Sequence, residues 1–235
     1  MMLQVENVNT RYGLSHVLHD VSLRVGEGEA VAFLGRNGAG KTTTLKTIMG
    51  LLKPSAGKIL MDGEDITPRP AHFIAQKGIS LIPEDRQVFP NLTVFENLKI
   101  SRLPVDGGKR LDEFLDWIFS LFPRLKERIN NKGSQLSGGE QQMLTMARGL
   151  GTQPKLMLVD EPTEGLMPAY VETIRDVLIE IRNKGIAILL VEQRFRMALS
   201  ITQRAYLIEK GQIRWEGSSA RLIEDEETRV RYLGV

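Results

Sequence analysis

Residues 35–42 read GRNGAGKT, and no other stretch of the chain restricts its fold as tightly. The pattern G-x-x-x-x-G-K-[ST] has meaning only between a strand and a helix. Both are legible here. "AVAFLG" ahead of it is a short apolar run, and a helix is expected from about Lys41 to Leu52, stopped by Pro54. Gly35, Gly38 and Gly40 permit a tight turn with backbone N–H groups pointing inward. The following helix adds the positive end of its dipole. Lys41 offers a point charge to the β- and γ-phosphates of a nucleotide, and the Thr42 hydroxyl a ligand for Mg²⁺.

The remaining pattern fits an α/β protein with a mainly parallel sheet. "MLQVENVNT", "VSLRVGEGE" and "AVAFLG" read as N-terminal strands. "GKILMDGEDI" reads as strand, glycine turn and strand, and "GISLIP" as a short buried strand. From about Glu84 to Leu150 the character is helical. Leu111, Phe114, Leu115 and Ile118 fall at helical spacing, continued by Phe122, Leu125 and Ile129; Pro123 should kink or split the segment, and Gly107-Gly108 should form a joint before it. "KLMLVDE" and "IAILLVEQ" are almost wholly apolar, as strands covered on both faces must be. A helix over about 169–184 separates them, and "AYLIEKGQIRWEG" reads as a hairpin turning at Lys210-Gly211. The expectation is one domain over 1–235, with a core lobe over about 1–84 and 151–235 and an inserted helical lobe over about 85–150.

Two more segments carry chemistry. A phosphate-binding loop needs a carboxylate at the end of a neighbouring strand to hold its metal. In "LMLVDE" that residue is Asp160. Glu161, adjacent but pointing differently, is placed to polarise an attacking water. In "LSGGEQQ", Ser137 and Glu140 form a capping box that opens a helix. A capping box does not require Gly138-Gly139; two glycines there expose N–H groups and make a second anion site.

Composition closes off other classes. Lys plus Arg total 31 against 29 Asp plus Glu, a formal +2, which gives no case for a nucleic-acid partner. The absence of cysteine excludes disulfides, thiolate metal sites and a cysteine nucleophile. No apolar run approaches the roughly 18 residues that span a bilayer, and "MMLQVENV" has no leader pattern, so a cytoplasmic location is expected. No guanine-selecting N-K-x-D occurs; "NKGS" at 131–134 is the nearest.

GRNGAGKT, "LSGGE" and "LMLVDE", in this order and spacing, resemble the ATP-binding cassette (ABC) ATPases. The likeness covers essentially the whole chain, and "LSGGE" closely follows that family's "LSGGQ". It implies an N-terminal antiparallel β subdomain beside the P-loop core and the helical insert. It also implies a head-to-tail dimer with two ATP molecules, each held between Gly35, Arg36, Asn37, Gly38, Ala39, Gly40, Lys41, Thr42 and Thr43 of one subunit and Ser137, Gly138, Gly139 and Glu140 of the other. Tyr12 matches the aromatic that stacks on adenine. Glu84 stands where the family has a glutamine near the metal, as a third metal-side group with Thr42 and Asp160; Gln87, three residues on, is the alternative. Met167 replaces the usual aspartate of the loop after Asp160 and Glu161. The family's switch histidine is impossible, because the histidines are His16, His19 and His72. The aligned residue is Gln193, expected to sense the γ-phosphate without changing charge. Glu192 beside it is open between a structural or coupling role and nucleotide contact.

"VEQ", "EPTEGL", "PEDRQVFPNLTVFENL" and the ending "RYLGV" resemble one branch, the second ATPase of bacterial branched-chain amino-acid importers, with urea and short-amide importers as relatives. This implies a peripheral subunit on the inner face of the cell membrane. Its partners would be a second ABC ATPase, identical or related, two transmembrane permeases and, indirectly, an extracytoplasmic binding protein. A non-transport ABC ATPase acting on nucleic acid or ribosomes is the more distant alternative.

Overall fold

The computed structural model describes residues 1–106 and 110–235, with the side chains of 103–106 left aside. The proposed joint at Gly107-Gly108 lies outside the described residues. Two sheets organise the fold. The first is antiparallel and four-stranded, in the order β2-β1-β4-β5, from β1 (Leu3–Tyr12), β2 (Ser15–Val25), β4 (Ala56–Met61) and β5 (Glu64–Asp65). The second is six-stranded in the order β10-β9-β3-β8-β7-β6. Its members are β3 (Ala30–Leu34), β6 (Ile79–Ile82), β7 (Leu156–Asp160), β8 (Ala187–Val191), β9 (Arg204–Glu209) and β10 (Gln212–Ser218). Every pairing in it is parallel except the β9–β10 hairpin, which turns at Lys210 and Gly211, both at positive φ.

The apolar runs at the centre of this sheet are explained by its two covered faces. Side chains alternate across a strand. Ala32 and Leu34 of β3, Met157 and Val159 of β7, and Ile188 and Leu190 of β8 pack into one core with the helices. Val31 and Phe33, Leu156 and Leu158, and Leu189 and Val191 pack into another, against the four-stranded sheet and α1 (Lys41–Ile48). Each of these positions is fully buried. Burial of a Leu or Ile side chain stabilises by about 2 kcal/mol, so a register slip would be heavily penalised.

Between β6 and β7 the chain forms α3 (Val94–Asp106), α4 (Leu111–Leu121), α5 (Pro123–Glu127) and α6 (Gly138–Gly151). Phe114, Leu115, Ile118, Phe122 and Leu125 are buried as their spacing predicts. Pro123 does split the segment: it opens α5 at the first helical position, where a missing N–H costs nothing. After β7 come α7 (Pro168–Asn183) and, beyond β8, α8 (Phe195–Ile201); α9 (Ser219–Glu224) and α10 (Glu226–Tyr232) end the chain. The helix α2 (Ala71–Gln76) precedes β6.

One boundary differs from the sequence reading. The helix expected to reach Leu52 ends at Ile48. Gly50 turns left-handed at φ 72°, and the Leu51 and Leu52 amides fold back onto the Lys46 carbonyl. A glycine in this conformation ends a helix before any downstream proline acts.

Candidate functional site

The carboxyl ends of β3, β7 and β8 meet at one edge of the six-stranded sheet, next to the start of α1. Ligands of open α/β sheets bind at this end of the strands. The cavity found there has a volume of about 440 Å³ and is lined by Tyr12, Val17, Asn37, Gly38, Gly40, Lys41, Thr42, Thr43, Glu84, Glu161, Glu164 and Gln193. Most of the residues singled out from sequence are therefore brought together. Gly40 caps α1 at φ 111°, in a conformation that L side chains avoid, and an added Cβ would stand 2.8 Å from Leu18. Gly35 and Ala39 lie buried behind the loop; exposed Arg36 points elsewhere, its guanidinium beside Gly234 of the C-terminal tail.

Lys41 is the cation of the cavity floor. Its Nζ donates to the carbonyls of Gly35 (2.9 Å) and Arg36 (3.2 Å) and stands 3.3 Å from Glu161 Oε1. Both partners of this ion pair are nearly buried, at 4% and 8% exposure, so the attraction is little screened. The other Glu161 oxygen accepts a hydrogen bond from the Gln193 amide. Glu161 itself sits at φ 43°, a strained conformation for a residue with a Cβ. Its N–H donates to the Val191 carbonyl at 2.9 Å, which extends the β7–β8 ladder by one residue before the chain turns.

Asp160 is 2% exposed, and burial pushes its carboxyl up to about 6. A hydrogen bond with the Thr42 side chain opposes the rise, while the nearby charges of Glu161 and Glu84 add to it. Asp160 Oδ1 is buried without a hydrogen-bond partner. An orphaned carboxylate oxygen beside a threonine hydroxyl is an all-oxygen donor pair that fits Mg²⁺. Among the described residues no three His, Asp or Glu converge into a metal cage. A cation here would thus rely on phosphate and water for its remaining ligands, as Mg²⁺ commonly does. Glu84 lines the cavity; Gln87 does not, and its amide is engaged by Asp85 Oδ2 at 2.9 Å.

Glu192 lies outside the cavity wall and is 3% exposed. Its carboxylate accepts from the Thr163 N–H and hydroxyl and from the N–H groups of Gln193 and Arg194. Burial pushes this carboxyl upward and those bonds pull it back, with neighbouring Glu161 raising it further.

Ser137, Gly138, Gly139 and Glu140 do not line this cavity; they open α6, with Gly139 and Glu140 buried. The capping box is present: Ser137 Oγ accepts from the Glu140 N–H at 3.3 Å, and Glu140 Oε2 accepts from the Ser137 N–H at 2.9 Å. Burial would raise the Glu140 carboxyl, but Ser137 and Arg128 outweigh it and hold it below the usual carboxylate range. Glu140 is thereby turned into its own chain, and the helix start offers N–H groups rather than a carboxylate. Gly139 lies under the Tyr170 ring, where an added Cβ would approach to 2.6 Å, and the Arg86 guanidinium covers Gly138. Arg86 also donates to the Glu164 carbonyl at 2.8 Å. Sequence reasoning missed Val17, Glu164 and this Arg86 bridge; no motif or spacing marks them. Met167 is exposed at the N-cap of α7.

A family model described as "ABC transporter" matches residues 18–164. The chain is 41% identical over 233 residues to the high-affinity branched-chain amino acid transport ATP-binding protein BraG of Pseudomonas aeruginosa, with 99% of this chain and 100% of that one covered. It is 36% identical over 239 residues to the lipopolysaccharide export system ATP-binding protein LptB of Haemophilus influenzae, covering 99% and 97%. Its fold matches a dimeric ATP-binding cassette in a post-hydrolysis state bound to ADP and Pi, with a TM-score of 0.84, 25% identity and coverage of 93% and 99%. With the phosphate loop, the strand-end carboxylates and the glycine-opened helix in place, the chain belongs to the ABC transporter family, as one of its ATP-binding, ATP-hydrolysing subunits.

Proposed function

We propose that this chain drives a membrane importer for branched-chain amino acids, and that hydrolysis occurs in the cavity floored by Lys41. The observation that carries the hydrolytic reading is the convergence of Lys41, Thr42, Glu161 and Gln193 on that one cavity. Lys41 and the N–H groups of residues 35–43 hold the phosphates, and Tyr12 stacks on the adenine. Thr42 and Asp160, with Glu84 alongside, would hold Mg²⁺, which supplies charge neutralisation on the β- and γ-phosphates. A γ-phosphate competes with Glu161 for Lys41 and with Glu161 for the Gln193 amide. Released from both, Glu161 takes the proton of the water that attacks the γ-phosphorus, and the leaving ADP departs on the opposite side. Gln193 then donates to a γ-phosphate oxygen.

The glycine-opened start of α6 does not line this cavity, which supports its use on the ATP of a second cassette. A dimer of cassettes, identical or related, follows. Among the described residues no helix is long and apolar enough to cross a membrane, so the permease pathway would belong to two partner subunits at the inner face of the cell membrane. The lobe over about 85–150 would receive them, and an extracytoplasmic binding protein would deliver the solute.

End-to-end likeness to BraG supports the amino-acid reading. Likeness to LptB over nearly the same span supports lipopolysaccharide export as a second one, and urea or short amides remain the sequence-based alternative. Glu161→Gln tests the chemistry: it should bind ATP and lose turnover by about 10²- to 10⁴-fold. Near-normal turnover would remove Glu161 from the role of base. Uptake of labelled leucine against urea by the chain reconstituted with its permeases tests the solute; ATPase activity stimulated by lipopolysaccharide instead would decide for export.

A further inference from the structure

A carboxylate with no view of the nucleotide cavity nonetheless holds its two sides together. Glu192 follows β8 and directly precedes Gln193. Its Oε1 accepts from Thr163 N–H at 3.1 Å and Thr163 Oγ1 at 2.5 Å, and its Oε2 from Gln193 N–H at 3.0 Å and Arg194 N–H at 3.1 Å. Thr163 lies two residues beyond Glu161 on the turn that follows β7, and is wholly buried. One buried side chain thus ties the turn bearing Glu161 to the turn bearing Gln193, two residues whose side chains themselves touch. A carboxylate suits this position best, because three of the four neighbours are backbone N–H donors and the Thr163 hydroxyl donates as the fourth, whereas an amide would set its own NH₂ against at least one N–H. Sealing a strand end would need a single turn to be capped; this group caps two and joins them.

We propose that Glu192 is a positioning residue for ATP hydrolysis, clamping the Gln193 turn to the Glu161 turn so that both groups meet the γ-phosphate in one fixed geometry. This rests on the assignment of Glu161 and Gln193 to the chemistry. Clamping affects the transition state more than nucleotide binding, since Glu192 does not line the cavity. Loss of the clamp should lower kcat and leave KM for ATP nearly unchanged.

The test is a double-mutant cycle on the purified full-length chain, with ATPase turnover at saturating MgATP normalised to sites occupied by a fluorescent ATP analogue. Glu192→Gln should lower kcat by about 10- to 100-fold and shift KM by less than about 2-fold. In a Gln193→Ala background the same substitution should cost less than about 3-fold, because one of the two groups it holds in register is gone. Additive losses in the two backgrounds, or a kcat per occupied site equal to wild type, would overturn the proposal. Thr163→Val removes one of the four bonds at constant shape and should give the same non-additive pattern at about 3- to 10-fold, so the test survives if Glu192→Gln does not fold. Glu161→Gln run in parallel separates the two readings. If it retains turnover, the assignment of the base fails; if it is inactive while Glu192 and Gln193 act additively, only the clamp fails.

Discussion

Asp160→Asn should stabilise this protein in the absence of metal and nucleotide while abolishing its turnover. The magnitude follows from burial. The Asp160 carboxyl rises from 3.8 to about 6 on folding, about 2 pH units, and each unit is worth about 1.4 kcal/mol, so the ionised group costs the folded state about 3 kcal/mol at pH 8. The sign is that of a raised acid: between the two values the folded chain holds the proton that the unfolded chain has released. Stability from this group is fully present below about pH 4 and is lost as pH rises through about 6. Across pH 5 to 8 the wild type should lose about 1.5 kcal/mol from it, and an asparagine, which cannot titrate, should lose none. Urea unfolding in EDTA at a series of pH values would measure both proteins, with the variant gaining up to about 3 kcal/mol at pH 8 and progressively less toward pH 5. With MgATP present the order should reverse, because the variant has lost the carboxylate that fits the cation. A variant no more stable than wild type at pH 8, or a difference independent of pH, would refute the argument that Asp160 is strained by desolvation and reserved for a metal.

Two further substitutions probe the surroundings. Glu84→Gln removes one of the negative charges that raise Asp160; it should tighten ATP binding in EDTA by about 3- to 10-fold and narrow the gap between EDTA and Mg²⁺ conditions, read by fluorescence titration. Gly139→Ala places a methyl group 2.6 Å from the Tyr170 ring and should destabilise the chain by about 1–3 kcal/mol in urea unfolding, whereas full stability would mean that Tyr170 swings freely away.

Much of the site is local in sequence, and that is why it could be read there. The phosphate loop needs its glycines, lysine and threonine at fixed spacing, since one turn and the first helical turn must all face one anion. The apolar runs of β7 and β8 placed Asp160, Glu161, Glu192 and Gln193 at strand ends, because a strand covered on both faces has room for charge only where it leaves the sheet. The helix ending at Ile48 instead of Leu52 shows the limit of such reading: Gly50 was available as a stop, and packing of the Arg69 carbonyl and Ile74 against it favoured that stop over Pro54.

What pattern alone established is the set of local geometries: a P-loop, two acidic strand ends, a capped and glycine-opened helix, and the ABC family that combines them. Strand order established the rest. Because β8 inserts between β3 and β7, Gln193 reaches Glu161 across 32 residues and Glu192 reaches Thr163 across 29. No spacing rule connects such pairs, since their distance depends on which strands lie side by side. The same placement removes Asp160 from water and raises its proton affinity, a property of the assembled sheet that no residue type carries by itself.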